Sequence, residues 1–345
     1  MADHGDDGLS GTRRAVLAAA VAGAAAMTGQ AQAAPARRTA RTGFWTSQYS
    51  ATKRRGDQAI ELVIYRKRLE APGRGAPVRP VLFLVHGSSN SAMSSFDIRI
   101  KGGAYSSMDA FARAGFDVWT MDHENYGRSS RTNSNSDIAS GAEDLKAASD
   151  LIARETGVQR ISLLGESSGA LRAAVFATRY PDRVDRLGMG APTYTGKGSP
   201  TLTERAKSVE AYRASNRRKR DRDMIRSIFL RDRPGTTDPE VAEAMADMEL
   251  VYGDQVPTGT YLDMSANLPV FDAAKLNCAV LLIRGEYDGI ATDADLLDLY
   301  SKLPHGDKQF IVIPGAAHSL AACKNRALVE HAVVAFMTMP KAVPV

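Results

Sequence analysis

Residues 161–169 read Ile-Ser-Leu-Leu-Gly-Glu-Ser-Ser-Gly, a strand-like run that ends in a G-x-S-x-G pentapeptide. A helical sequence follows it directly, and this order is typical of a nucleophile elbow. Gly165 and Gly169 lack Cβ atoms, so the strand and the departing helix can approach each other closely. The tight turn strains the backbone of Ser167 and pushes its hydroxyl out of the sheet. The stretch therefore favours a serine nucleophile over an ordinary glycine-serine loop.

The rest of the chain alternates strand-like and helix-like segments. Residues 81–85 form a continuous apolar run, as expected of a strand buried on both faces. Further strands are predicted at residues 116–121, 184–190, 279–283 and 309–313. An edge hairpin is predicted from the alternating segments 44–49 and 60–68. Helices are predicted near residues 108–114, 137–155, 295–303 and 322–337, besides the one after the elbow. The alternation predicts an α/β fold, a mostly parallel central sheet with helices on both faces.

One interval, residues 193–272, breaks this alternation and carries two helical stripes. The stripes are Met224, Ile225, Ile228 and Phe229, and then Val241, Met245, Met248 and Tyr252. We expect an inserted helical cap over the carboxyl edge of the sheet, with residues 43–192 and 273–345 forming the core. Apolar surface facing a pocket would suit a small-molecule substrate with an apolar part. The alternative is that both stripes only anchor the cap.

Three side chains that can form a catalytic triad follow three different predicted strands. Ser167, Asp288 and His318 each come just after a strand, at the edge where open α/β sheets place their sites. A serine hydroxyl is a poor nucleophile until a base removes its proton, and His318 is the predicted base. Asp288 would fix the histidine tautomer. The backbone N–H groups of Ser88 and Ser168 are the predicted oxyanion donors.

Other residues compete for two of these roles. Glu286 or Asp293 could serve as the acid in place of Asp288. His123 follows a strand at the same edge, so it is the alternative to His318. His86 heads the predicted oxyanion loop, where it is expected to brace the loop rather than to react.

The order serine, aspartate, histidine, with His86-Gly87-Ser88 upstream, resembles the α/β-hydrolase superfamily of capped type over roughly residues 60–340. Many members carry Asp-x-Arg-Gly-x-Gly-x-Ser where residues 122–129 of this chain read Asp-His-Glu-Asn-Tyr-Gly-Arg-Ser. Glu124 and Asn125 thus replace the usual arginine and first glycine, and whether His123 or Glu124 faces substrate is left open.

The resemblance implies a serine hydrolase, with a carboxylic ester as the expected substrate. Amidases, lactonases and C–C bond hydrolases use the same triad and are the alternatives. A non-catalytic binding protein on the same scaffold is disfavoured, because such relatives usually lack a triad member.

The N-terminus has the layout of an export signal. Arg13 and Arg14 precede a 13-residue apolar run, residues 15–27, and a small-residue cleavage site ends at Ala33. The adjacent arginines indicate the twin-arginine route, so residues 1–33 are predicted to be removed and residues 34–42 to be a linker. The run is shorter than the roughly 20 residues that span a bilayer, so no stable membrane anchor is expected. We expect an exported protein, periplasmic or extracellular.

The distribution of charge bears on whether the protein binds nucleic acid. The chain has 345 residues and a formal net charge of +5, and residues 201–233 carry 11 basic and 5 acidic side chains. Residues 234–260 carry six acids and no lysine or arginine, so a basic helix facing an acidic one is favoured over a nucleic-acid surface.

Cys278 and Cys323 are the only cysteines and are expected to be free and buried. No Cys/His spacing suits a metal, and neither a metal nor an organic cofactor is expected.

Overall fold

The structure, a computed structural model, describes residues 43–73 and 75–340. The predicted export signal and linker lie outside these residues. Within them, a central sheet has eight strands in the order β1-β2-β4-β3-β5-β6-β9-β10. Their bounds are β1 Phe44–Arg55, β2 Gln58–Leu69, β3 Val81–Val85, β4 Asp117–Met121, β5 Ile161–Glu166, β6 Val184–Gly190, β9 Ala279–Gly285 and β10 Lys308–Ile313.

The sheet is parallel except at one edge. The hairpin β1–β2 is antiparallel, and β2 pairs antiparallel with β4, whereas every pairing from β4 to β10 is parallel. All five residues of β3 and of β4 are buried. Because successive strand residues point to opposite faces, complete burial means that both faces are covered. The predicted α/β-hydrolase architecture is confirmed.

The helices of the described part pack on this sheet or form the cap. They are α1 Ala92–Phe96, α2 Ser107–Arg113, α3 Ile138–Thr156, α4 Ser168–Arg179, α5 Pro200–Ala206, α6 Val209–Ala214, α7 Arg222–Leu230, α8 Pro239–Leu250, α9 Gly259–Ala266, α10 Asp293–Lys302 and α11 Arg326–Met337. Helix α3 is capped by Asp137, whose carboxylate accepts the Ser140 N–H, and it packs against α4. No helix among the described residues is long and apolar enough to cross a membrane.

The last helix begins later than the sequence suggests. It starts at Arg326 rather than at residue 322, because the preceding backbone is tied elsewhere. The Lys324 N–H donates to the Thr236 carbonyl, 2.8 Å away in the α7–α8 connection. Cys323 therefore lies in a turn; it and Cys278 are buried, unbridged thiols.

The interval 193–272 contains α5 to α9 and also a short antiparallel ribbon. Strand β7, Arg217–Lys219, pairs with β8, Gln255–Pro257. The prediction of a purely helical cap was therefore incomplete. Strands of three residues are too short to show an alternating apolar pattern in the sequence, so the ribbon could not be predicted from it.

Helices α7 and α8 pair the basic and acidic segments. The Arg222 guanidinium lies 2.9 Å from Glu243 and 2.6 Å from Asp247, and Arg226 lies 2.6 Å from Glu243. The expected pairing of a basic helix with an acidic one is confirmed. These pairs are solvent-exposed, so each contributes little to the free energy of folding.

Candidate active site

The turn at Ser167 joins β5 to α4 with a backbone that few side chains tolerate. Its φ is 58° and its ψ is −127°. A Cβ on Gly165 would lie 2.5 Å from the Ala170 Cα, and one on Gly169 would lie 2.6 Å from the His86 carbonyl oxygen. Neither glycine can carry a side chain without moving backbone. The sequence predicted this constraint correctly.

The structure brings Ser167, His318 and Asp288 into one hydrogen-bonded chain. The Ser167 Oγ is 2.9 Å from the His318 Nε2, and the His318 Nδ1 is 2.9 Å from the Asp288 Oδ1. The Asp288 Oδ1 also accepts the backbone N–H groups of Ile290 at 2.8 Å and Ala291 at 3.0 Å. A carboxylate held in this way fixes the imidazole with its Nε2 toward the serine. This chain can transfer a proton from the hydroxyl to the imidazole.

The two other acids considered for this position bind different partners. Glu286 accepts the Gly315 N–H at 2.8 Å. Asp293 forms an ion pair of 2.5 Å with Arg284. Of the three candidates, Asp288 alone contacts His318.

His123 lies in a buried polar layer and not beside Ser167. Its Nδ1 is 3.0 Å from Asp144, and its backbone N–H donates to the His86 Nε2 at 3.1 Å. The His86 Nδ1 is 2.9 Å from the Gly87 carbonyl, so His86 braces the loop as expected. Burial holds the pKa of both imidazoles well below the usual range, and both rings are neutral.

The predicted oxyanion donors lie on two adjacent segments. Ser168 is the first residue of α4, where the backbone N–H has no acceptor inside the helix. Ser88 follows β3, and its Oγ is 2.7 Å from the Ser168 Oγ. The Tyr126 hydroxyl donates to the Ser88 carbonyl at 2.7 Å and holds the loop against the turn after β4. The two segments are thereby joined at the elbow.

The turn after β4 contains Glu124 and Asn125, which replace the arginine and the first glycine usual in the superfamily. Asn125 has a φ of 71°, a left-handed conformation that asparagine tolerates better than most residues. Glu124 is fully buried, 2.8 Å from Lys53 and 2.6 Å from Arg55. Burial alone would raise the pKa of Glu124, but hydrogen bonds from Arg55 and Lys53 outweigh it and lower the pKa to about 2. Both His123 and Glu124 are therefore structural residues of this layer.

Glu166, which precedes the serine, has a position at the site that sequence reasoning missed. Its carboxylate accepts the backbone N–H groups of Leu320 at 2.9 Å and Ala321 at 3.3 Å. It thus ties the elbow to the segment that carries His318. Removal from water raises the pKa of Glu166 to about 7. Only its place in the G-x-S-x-G motif hinted at such a role.

A cavity of about 80 Å³ opens over Ser167 and His318. Side chains of the cap form part of its wall, namely Arg205, Ile228, Arg231 and Met245. Met245 belongs to the buried cluster around α7 and α8 and also lines the cavity, whereas Met248 packs against that cluster without lining the cavity. Only part of the predicted apolar stripe lines the cavity, and two arginines that the sequence did not single out lie beside it.

We predict that Glu166→Gln changes how stability depends on pH. The folded-state pKa of about 7 lies above the ordinary value of 4.5, so the folded protein binds more protons between these limits. The wild type should lose roughly 1–3 kcal/mol of unfolding free energy relative to Glu166→Gln as pH rises through this window, and no more above it. Urea unfolding from pH 4 to 8 measures the difference. Glu286→Gln, at an exposed carboxylate, is the control; equal pH slopes for all three proteins would contradict the prediction.

Over about a third of its length the chain is similar to curated hydrolases. It is 34% identical over 123 residues to a 2-hydroxy-6-oxononadienedioate/2-hydroxy-6-oxononatrienedioate hydrolase of Paraburkholderia phymatum. The aligned region covers 33% of this chain and 38% of that protein. A protein of the same description from Burkholderia vietnamiensis is 33% identical over 138 residues, 38% of this chain and 43% of that protein. The matches span less than half the length of these relatives.

The fold is also found among solved structures. A thermophilic esterase from Thermogutta terrifontis superposes with a TM-score of 0.60 at 20% identity, over 84% of this chain and 98% of the esterase. At this identity the likeness shows the fold alone. A profile of the family described as serine aminopeptidase, S33, matches residues 77–322, well over half of the sequence. The chain therefore belongs to the serine aminopeptidase S33 family of hydrolases, and it has the α/β-hydrolase fold.

Proposed function

We propose that the protein is a serine hydrolase that cleaves a carboxylic ester through an acyl-enzyme intermediate. The observation that carries the proposal is the unbroken hydrogen-bonded chain from Ser167 through His318 to Asp288. The strained turn presents Ser167 at the cavity, where a carbonyl carbon can approach it. A non-catalytic protein has no need to maintain such a strained and fully connected arrangement.

In the proposed reaction, Ser167 attacks the ester carbonyl while His318 accepts its proton at Nε2. Asp288 stabilises the imidazolium, and the backbone N–H groups of Ser88 and Ser168 stabilise the oxyanion. His318 then returns the proton to the leaving alcohol, which departs and leaves an acyl-serine. Water attacks that acyl group while His318 accepts its proton, and His318 then gives the proton to the Ser167 oxygen as the bond to the acyl group breaks and the acid is released.

Cleavage of a carbon–carbon bond is the second candidate, and the curated relatives favour it. The compound in their name carries hydroxyl, oxo and carboxylate groups but no ester or amide, so its hydrolysis must break a C–C bond. The same serine, histidine and oxyanion donors can serve that chemistry. Hydrolysis of an amide or a lactone would use the same triad and the same acyl-enzyme steps.

Ser167→Ala is predicted to lower kcat by up to about a millionfold and to abolish labelling by a fluorophosphonate probe, because the attacking oxygen is lost. Ser168→Ala keeps its backbone N–H and should lose less than about 100-fold. Activity assays and gel fluorescence of both variants provide the measurement. Similar losses in the two variants, or labelling of Ser167→Ala, would refute Ser167 as the nucleophile.

The wild-type enzyme is predicted to hydrolyse esters faster than the other substrate classes. Acyl esters of several chain lengths should be hydrolysed faster than a matched amide and a lactone, and faster than a 2-hydroxy-6-oxo-dienoic acid. Steady-state kcat/KM values on the purified wild type decide the order. A preference of more than tenfold for the oxo-dienoic acid would replace ester cleavage by C–C bond cleavage.

We also propose export by the twin-arginine route, on the basis of the arginine pair and apolar run before Ala33. Mass spectrometry of exported material should find a mature N-terminus near Ala34, and replacing both Arg13 and Arg14 by lysine should retain the protein inside the cell. Exported protein that keeps Met1 would contradict this proposal.

A further inference from the structure

Two cavities meet above the nucleophile, and arginines line their junction. The inner cavity of about 80 Å³ contains Ser167, and an outer one of about 680 Å³ opens from it toward solvent. Arg205 and Arg231 line both cavities, and Arg218 lines the outer one. A substrate that reaches Ser167 from the outer cavity must pass these guanidinium groups.

The acids around the outer cavity are already paired. Arg231 lies 2.9 Å from Asp232, and Glu204 lies 2.6 Å from Lys207. Among the described residues that line the outer cavity, no carboxylate is therefore free to neutralise a further guanidinium.

Arg205 and Arg218 differ from the paired arginines of the cap. Within residues 43–73 and 75–340, neither guanidinium group forms an ion pair or a hydrogen bond, although both side chains are half-buried. Each instead lies over the Tyr261 ring, at 5.3 Å for Arg205 and 4.6 Å for Arg218. Burial, together with the positive charge of Arg231 and Arg218, lowers the pKa of Arg205 despite the nearby Tyr261. A cation without a counterion is unfavourable in such a place.

Tyr261 fixes both guanidinium groups relative to the reaction centre. The ring is 1% exposed, and its hydroxyl is 2.7 Å from the Ser89 Oγ. Ser89 follows Ser88 in the loop after β3 and lines both cavities. Contact with the ring attracts the cations but satisfies none of their N–H donors. The donors are therefore available to a ligand at a fixed distance from the predicted oxyanion site.

We propose that the substrate carries an anionic group, a carboxylate, which Arg205 and Arg218 bind while the scissile carbonyl lies at Ser167. The planar guanidinium matches a carboxylate with two parallel hydrogen bonds. This substrate class rests on the proposed hydrolase function. The anion supplies the counterion that the described residues lack, and it orients the substrate along the axis from the outer to the inner cavity.

The test compares p-nitrophenyl half-esters of succinate, glutarate and adipate with the same esters carrying a distal carboxamide. The wild type should show a higher kcat/KM on at least one carboxylate ester than on its carboxamide match. Arg205→Gln and Arg218→Gln should each reduce kcat/KM on that carboxylate ester by roughly 10- to 100-fold, because a charged hydrogen bond is lost. Both variants should lose much less on the carboxamide ester, so the ratio of the two kcat/KM values should fall by roughly 10-fold or more.

Two matched variants separate binding from general charge. Arg205→Lys keeps the charge without the guanidinium fork and should recover only part of the loss. Arg222→Gln removes a cap arginine that is paired with Glu243 and lines neither cavity, so it should leave the preference unchanged. An equal loss in Arg222→Gln, or equal losses on both ester types, would overturn the assignment.

A binding measurement keeps this inference separate from the hydrolase proposal. Calorimetric titration of Ser167→Ala with glutarate should show binding that Arg205→Gln weakens, whereas glutaramide should not bind. Inorganic phosphate is the second arm, and tighter binding of phosphate than of glutarate would overturn the carboxylate assignment. Hydrolysis of neutral esters without any carboxylate preference would refute the inference alone. Failure of the fluorophosphonate to label the wild type would refute the proposed function alone.

Discussion

The reversal of the backbone at Ser167 is the constraint on which the remainder of the site depends. A left-handed conformation at a serine is unfavourable, and the surrounding packing must maintain it. Two features do so, the absence of side chains at Gly165 and Gly169 and the hydrogen bond of 2.8 Å from the Ser167 N–H to the Gly190 carbonyl. The same reversal places the Ser168 N–H at the start of a helix. One turn thus presents both the hydroxyl and an oxyanion donor.

Beneath this turn lies a layer of buried polar residues whose charges are matched across distant strands. Glu124 stands where related hydrolases usually carry an arginine, and such an inversion would leave an unpaired buried charge. Lys53 on β1 neutralises the buried negative charge, because its ammonium forms ion pairs with Glu124 at 2.8 Å and with Asp144 at 2.5 Å. Breaking a buried pair of this kind typically costs about 3–5 kcal/mol. The edge hairpin is therefore part of the support of the site.

The cap contains two kinds of arginine, those that are paired with acids and those that are not paired within the described part of the chain. On the outside, α7 and α8 match arginines with acids in exposed pairs that leave the surface nearly neutral. At the junction of the cavities, the guanidinium groups of Arg205 and Arg218 lie over tyrosine rings of the cap, Tyr261 for both and also Tyr212 for Arg218. A formal net charge counts both kinds of arginine equally, so the overall basic character of residues 201–233 gave no indication of this division.

Local sequence determined the elements and the order of the reactive residues. Glycines at fixed positions, apolar runs and the order of serine, aspartate and histidine all act over short stretches, so they could be interpreted without coordinates. The hydrogen-bonded pairing of Asp288 with His318, the burial of His123 and the link from Glu166 to the His318 segment were decided only by tertiary structure. Each depends on which strands become neighbours and on which loops meet at their ends. The same holds for the arginines at the cavity junction, because a charge becomes available to a ligand only when the folded chain has paired the acids around it.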